Sequence, residues 1–228
     1  MMPLRNSLVA AVLATAVLSA CGATGPAVVG PAPVSAGSGT SDLAAITKAR
    51  ADSARYPYTA ADISFMSGMI SHHAQAIRMA GWAPGHGAGS SIRILAERII
   101  NAQQDEIGLM QAWLRDRLLP VPEPNPMGMK MVTGGEEHLM LMPGMLTEDQ
   151  MRQLDQARGG EFDRRFLTFM IQHHRGAVTM VNELFSQNGA GQNETVFKLA
   201  TDINVDQATE IARMEKMLAG LAAVPRSP

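Results

Sequence analysis

The sequence predicts an all-α protein, a four-helix bundle formed from two repeated helical hairpins, and three observations predict it. Phe65 to Met79 reads FMSGMISHHAQAIRM and Phe166 to Met180 reads FLTFMIQHHRGAVTM, so Phe, Met-Ile, His-His, Ala and a closing Met recur 101 residues apart. Gln103 to Leu114, QQDEIGLMQAWL, returns as Gln207 to Leu218, QATEIARMEKML, at an offset of 104. No segment alternates apolar and polar residues convincingly enough to read as a strand. Each half is therefore a helix with a His pair, a Gly-containing turn, and a helix with Gln-x-x-Glu-Ile-x-x-Met.

Before that domain comes a targeting segment. The opening MMPLRNS carries one cation, Arg5, ahead of an uncharged apolar run from Leu8 to Leu18. A bilayer-spanning helix needs about 20 apolar residues, so this shorter run fits the core of a cleavable signal over residues 1–20. Leu18-Ser19-Ala20-Cys21 looks like a bacterial lipobox, in which Cys21 is acylated and begins the mature chain. An ordinary signal with an incidental cysteine is the alternative. The expectation is an exported lipoprotein, anchored to a membrane through Cys21 on the extracytoplasmic side of a bacterial envelope. Cys21 is the only cysteine, which excludes an intramolecular disulfide. Residues 22–41 are Gly, Pro, Ala, Ser and Thr with almost no large apolar side chain, and 21–57 is expected to be a lipidated flexible tether.

The domain proper is expected over 58–221, with halves at about 58–119 and 147–221 around a Met-rich loop, 120–146. In the first helix Met66, Met69, His73, Ala76 and Ala80 step by three and four along one face. Thr59 stands three residues before Asp62 as an N-cap signal, and Trp82-Ala83-Pro84-Gly85 ends the helix. The second helix runs from about Ser90 to Leu119, where Pro120, Pro122, Pro124 and Pro126 forbid continuation. Thr147 with Gln150 resembles a capping box for the third, which Gly159-Gly160 breaks or bends. Gly189 and Gly191 mark the next turn, and the last helix runs from about Glu194 to Leu221.

Composition limits the function. The net charge is −2 and no Lys/Arg cluster appears, which argues against nucleic acid as a partner. Aromatics make up only 4% while there are 17 Met, a residue that fills cores adaptably but is also a soft metal ligand.

Residues on a helix advance about 100° each, which puts Met69, His72, Ala76 and Met79 within an arc of about 80°, with His73 about 40° to the other side of Met69. At least one His of the pair should point into the core and the other should sit at its border. The same holds for Met170, His173, His174, Ala177 and Met180. On the partner helices Gln103 and Glu106 rise from the stripe of Ile99, Met110 and Leu114, and Gln207 and Glu210 from that of Ile203, Met214 and Leu218. A carboxylate aimed at a core needs a partner, and an imidazole is a natural one. The candidate metal ligands are thus Met69, His72, His73, Met79, Met170, His173, His174 and Met180, with Gln103, Glu106, Gln207 and Glu210 orienting them from behind. Thioether beside imidazole favours Cu(I), and imidazole alone also suits Zn(II) or Cu(II). The alternative is a hydrogen-bonded core without a metal.

The loop repeats the theme with Met127, Met129, Met131, His138, Met140, Met142 and Met145, a candidate auxiliary metal group or a cap over an open end of the bundle. His86, in a Gly-rich turn, is expected to be solvated.

Met69-Ile70-x-His72-His73-x-x-Ala76, its echo Met170-Ile171-x-His173-His174-x-x-Ala177, and the two Gln-x-x-Glu-Ile-x-x-Met helices together resemble the bacterial exported domain-of-unknown-function family numbered 305, over roughly residues 58–220. The resemblance implies a ferritin-like bundle and, for some members, copper binding outside the cytoplasm through these His and Met positions. Three functions follow as expectations: a non-enzymatic copper-binding lipoprotein, a structural or interaction lipoprotein, and a ferritin-like di-metal oxidase. The last is weakened because Glu-x-x-His occurs nowhere in the chain.

Overall fold

The computed structural model describes residues 41–55 and 57–223. The expected signal segment and Cys21 lie outside the described residues. Among the described residues six helices follow in order: α1 (Ser41–Arg55), α2 (Ala60–Gly81), α3 (Ser90–Asp116), α4 (Glu148–Gln156), α5 (Gly159–Ser186) and α6 (Glu194–Ala223). Between α3 and α4 stands one antiparallel pair, β1 (Met129–Thr133) and β2 (Glu136–Met140). The protein is therefore mostly helical, as expected, with a small sheet that was not.

The helix starts obey their capping chemistry. Thr59 and Asp62 form a reciprocal capping box on α2, as do Thr147 and Gln150 on α4. Gly159 at φ +54 lies just past the break that separates α4 from α5, so the expected third helix is two. Helix α1 occupies part of the span 21–57 expected to be a tether. It packs on α3 and buries Ala49, so a helix replaces tether where apolar contact becomes available.

The sheet corrects the reading of 120–146 as a loop. Gly134 and Gly135, at φ +65 and +87, form the two-residue turn that right-twisted strands require. The strands are short, so periodicity over a helical window does not reveal them.

Packing follows the repeat. Helix α2 packs on α3, α5 packs on α6, and the two hairpins meet through α2 and α5. One core cluster contains Met69, Ala177 and Met180, and a second contains Ala76, Met79 and Met170. Early α2 thus meets late α5 and late α2 meets early α5, the pattern of an antiparallel crossing, with the His pairs between the clusters.

The chain from Met142 to Leu146 lies across that crossing as a strap. Gly68 has no Cβ, and the Met142 sulfur fills that space, 2.8 Å from where one would stand. A Cβ on Gly176 would likewise collide with the Pro143 carbonyl. The Gln75 amide clamps the strap from α2, donating to Leu146 O at 3.1 Å and accepting from Leu146 N at 2.6 Å. Among the described residues no helix is long and apolar enough to cross a membrane.

Candidate metal centre

All four paired histidines are completely buried, so neither member of a pair sits at the border of the core. They form a quasi-symmetric row. The His72 and His173 rings lie in contact at the crossing, centroids 3.8 Å apart. His73 and His174 flank them, with centroids 6.1 and 6.2 Å from their sequence neighbours. Outward of these, His73 Nε2 lies 2.7 Å from Glu106 Oε2, and His174 Nε2 lies 2.7 Å from Glu210 Oε2. Only the second of these contacts is aligned as a hydrogen bond.

The inner pair departs from symmetry. His72 Nε2 donates to Pro143 O at 3.0 Å, whereas His173 Nε2 donates to His72 O at 2.9 Å. A carbonyl only accepts, so both rings carry their proton on Nε2 and hold a lone pair on Nδ1. The Nδ1 atoms of all four rings are buried without a hydrogen-bond partner. Burial, reinforced by the neighbouring His73, pushes the His72 pKa down to about 3. Burial and then the charge of His72 hold His173 well below the ordinary histidine range. Both rings are neutral at physiological pH, the form that ligates metals.

These orphaned Nδ1 atoms leave room for a further ligand to the imidazoles. Among the described residues no three His, Cys, Asp or Glu side chains are gathered as a ready metal site. An ion bound here needs the thioethers to complete its set, and Met69, Met79 and Met170 are wholly buried in the two clusters that enclose the histidines. A soft, small ion such as Cu(I) fits that donor set better than Zn(II).

Gln103 and Gln207 are buried as expected, with both amide atoms of Gln103 and Oε1 of Gln207 unpartnered. Glu106 and Glu210 keep 14% and 18% of their side chains exposed, so each links a buried ring to solvent. Sequence reasoning passed over Asp206. Its carboxyl is pushed up by partial desolvation and then by the charges of Glu106 and Glu210, which places it beside both. Position 102, its counterpart in the first half, is Ala, so the repeat does not point to it.

The auxiliary group divides. Met142 and Met145 are buried in the first core cluster, Met142 N donating to Met145 Sδ at 3.3 Å, and Met142 and Met180 line one open cleft. Met129, Met131, His138 and Met140 belong to the hairpin, and Met127 is exposed just before it. His86 corrects its expectation: it is buried, and its Nε2 lies 2.8 Å from Asp155 O and 3.1 Å from Asp155 Oδ1.

Comparison with known proteins places this architecture. A DUF305 protein from Streptomyces coelicolor superposes with a TM-score of 0.59 at 29% identity, covering 74% of this chain and 98% of its own. A DUF305 fragment from Deinococcus radiodurans gives 0.59 at 28% identity, with 72% and 98% covered. CopM in its Cu(II)-bound form gives 0.54 at 30% identity, with 70% and 96% covered, and CopM has also been solved with Cu(I) and with silver. No curated protein matches. The family model described as domain of unknown function DUF305 matches residues 62–218, and this chain belongs to that family.

Proposed function

We propose that this chain is a non-enzymatic copper-binding lipoprotein of the bacterial envelope, which sequesters copper or passes it on. The observation that carries the reading is the row of four buried imidazoles whose Nδ1 atoms have no protein partner. Buried polar atoms are seldom left without one, and a metal would satisfy them. His72 and His173 would be the central ligands, with His73 and His174 beside them and the thioethers of Met69, Met79, Met170 and Met180 completing a soft set. Glu106 and Glu210 would orient the outer rings, with Gln103 and Gln207 behind them. CopM, 28–30% identical, is solved with Cu(I) and Cu(II), which supports copper. Export is supported by the N-terminal segment and by a relative described as secreted, and the lipid anchor at Cys21 rests on the N-terminal segment alone.

The test is an anaerobic Cu(I) titration of the chain from residue 22 onward against a competing chelator, repeated with Zn(II) and Cu(II). Tight Cu(I) binding that falls away when His72, His73, His173 and His174 are replaced by Ala supports the centre. Binding no stronger than that of the quadruple variant, for every metal, would mean the imidazoles are structural.

A further inference from the structure

The hairpin β1–β2 stands apart from the buried histidines, and its register has a chemical consequence. Met129 pairs with Met140, and Met131 with His138. Directly opposed residues of an antiparallel pair project to the same face, as do residues two apart on one strand. Met129, Met131, His138 and Met140 therefore share one face, while Lys130 and Glu137, an ion pair at 3.4 Å, lie on the other. Neighbours on such a face stand about 5 Å apart across the strands and about 7 Å apart along them. The flexible Met side chains and an imidazole can close on one ion over that span.

Packing accounts for Met129, which is partly buried against the first core cluster, but not for the rest of this face. Met131 and Met140 are 38% and 42% exposed, and the His138 side chain is 56% exposed. Glu136 Oε2 lies 4.0 Å from His138 Nε2, beyond hydrogen-bond reach. Met129 and Met131 line a cleft of about 730 Å³ between the hairpin, the proline-rich segment before it and the start of α2, roomy enough for an ion to enter.

We propose that this face is a solvent-accessible site for a soft monovalent cation, Cu(I) or Ag(I), with three thioethers and one imidazole as ligands. Three soft sulfurs and one imidazole favour Cu(I) over Zn(II), although the Glu136 carboxylate lies on the same face, 4.0 Å from His138 Nε2. The site shares no residue with the buried centre and does not rest on it. A two-stranded hairpin alone is marginally stable, so an ion bridging its strands also fastens them.

The experiment is an Ag(I) titration of the chain from residue 22 onward, followed by NMR with ¹³C-methyl-labelled methionine and by stoichiometry against a competing chelator. The methyls of Met129, Met131 and Met140 and the His138 ring should shift together. One equivalent should disappear in Met129→Leu/Met131→Leu/Met140→Leu, a change that nearly conserves volume, and persist in the variant with the four buried histidines replaced. Hairpin resonances that stay still in the native chain, or an unchanged stoichiometry in the triple variant, overturn the proposal. If the hairpin responds and the quadruple histidine variant binds as the native chain does, the hairpin site stands and the buried centre falls.

Discussion

His173 donates its Nε2 proton to the backbone carbonyl of His72, 2.9 Å away and 101 residues earlier in the chain. An imidazole in one half thus satisfies a helix carbonyl of the other half, where no water reaches. Two effects follow from removing it: the His72 carbonyl loses this buried donor, and a void opens at the crossing. We expect His173→Ala to cost about 2–4 kcal/mol in urea unfolding. His174→Ala should cost at least about 1 kcal/mol less, because its partner Glu210 reaches solvent and can rehydrate. Equal costs for the two would show that the interhelical bond carries no special weight.

Stability should fall on the acid side of neutrality. His72 is held at about 3 and His173 well below 6.5 in the folded chain, whereas both titrate near 6.5 when unfolded. Above pH 6.5 both states are neutral and the rings contribute no slope. Below it the unfolded chain takes up protons that the folded chain refuses. Each ring then removes about 1.4 kcal/mol of stability per pH unit, for His72 down to about pH 3. Denaturation midpoints measured from pH 7.5 to 4.5 check the sign, and His72→Gln should flatten the slope.

In the proposed copper centre Glu106 and Glu210 would act through the rings that they face. Glu106→Ala/Glu210→Ala should leave the helical content unchanged and weaken Cu(I) affinity by about 10–100-fold. Asp206→Asn, which removes a neighbouring charge without touching a ring contact, should change the affinity much less. Chelator competition at fixed pH separates the two.

The strap makes its own prediction. Gly176→Ala puts a methyl into the Pro143 carbonyl and should cost about 3 kcal/mol, because backbone on both sides must move. Gly81→Ala meets nothing within 4 Å at the end of α2 and should be neutral or stabilising by up to about 1 kcal/mol. Thermal unfolding of the two variants side by side measures the contrast.

The helices and the inward residues were legible because the repeat reported them twice and Thr59 with Asp62, and Thr147 with Gln150, announced two of the starts. What escaped the sequence is long-range. The His86–Asp155 contact joins residues 69 apart, so the Gly-rich turn around His86 gave no sign of burial. The strap likewise depends on Gln75 meeting Leu146, 71 residues on. The hairpin was readable in principle from Gly134-Gly135, but its Met residues drew attention to their sulfur and away from their alternation. Burial then divided that group, taking Met142 and Met145 into the core and leaving Met129, Met131, His138 and Met140 on the strands, with Met127 just before them.

The strap also bears on how a duplicated chain differs from a dimer of one half. Two identical hairpins paired about an axis through the inner imidazoles would give both rings the same neighbours. A single connecting chain can cross that axis only once, and here it does so with the Pro143 carbonyl, which bonds His72 and leaves His173 to find another acceptor. Covalent joining has thereby turned two interchangeable rings into two distinct ones. In the proposed centre an ion would meet a graded pair of donors, one tied to the connector and one tied to the opposite helix. Loading and release there would begin at the ring whose tether gives way first, a sequence of events that a symmetric dimer could not prescribe.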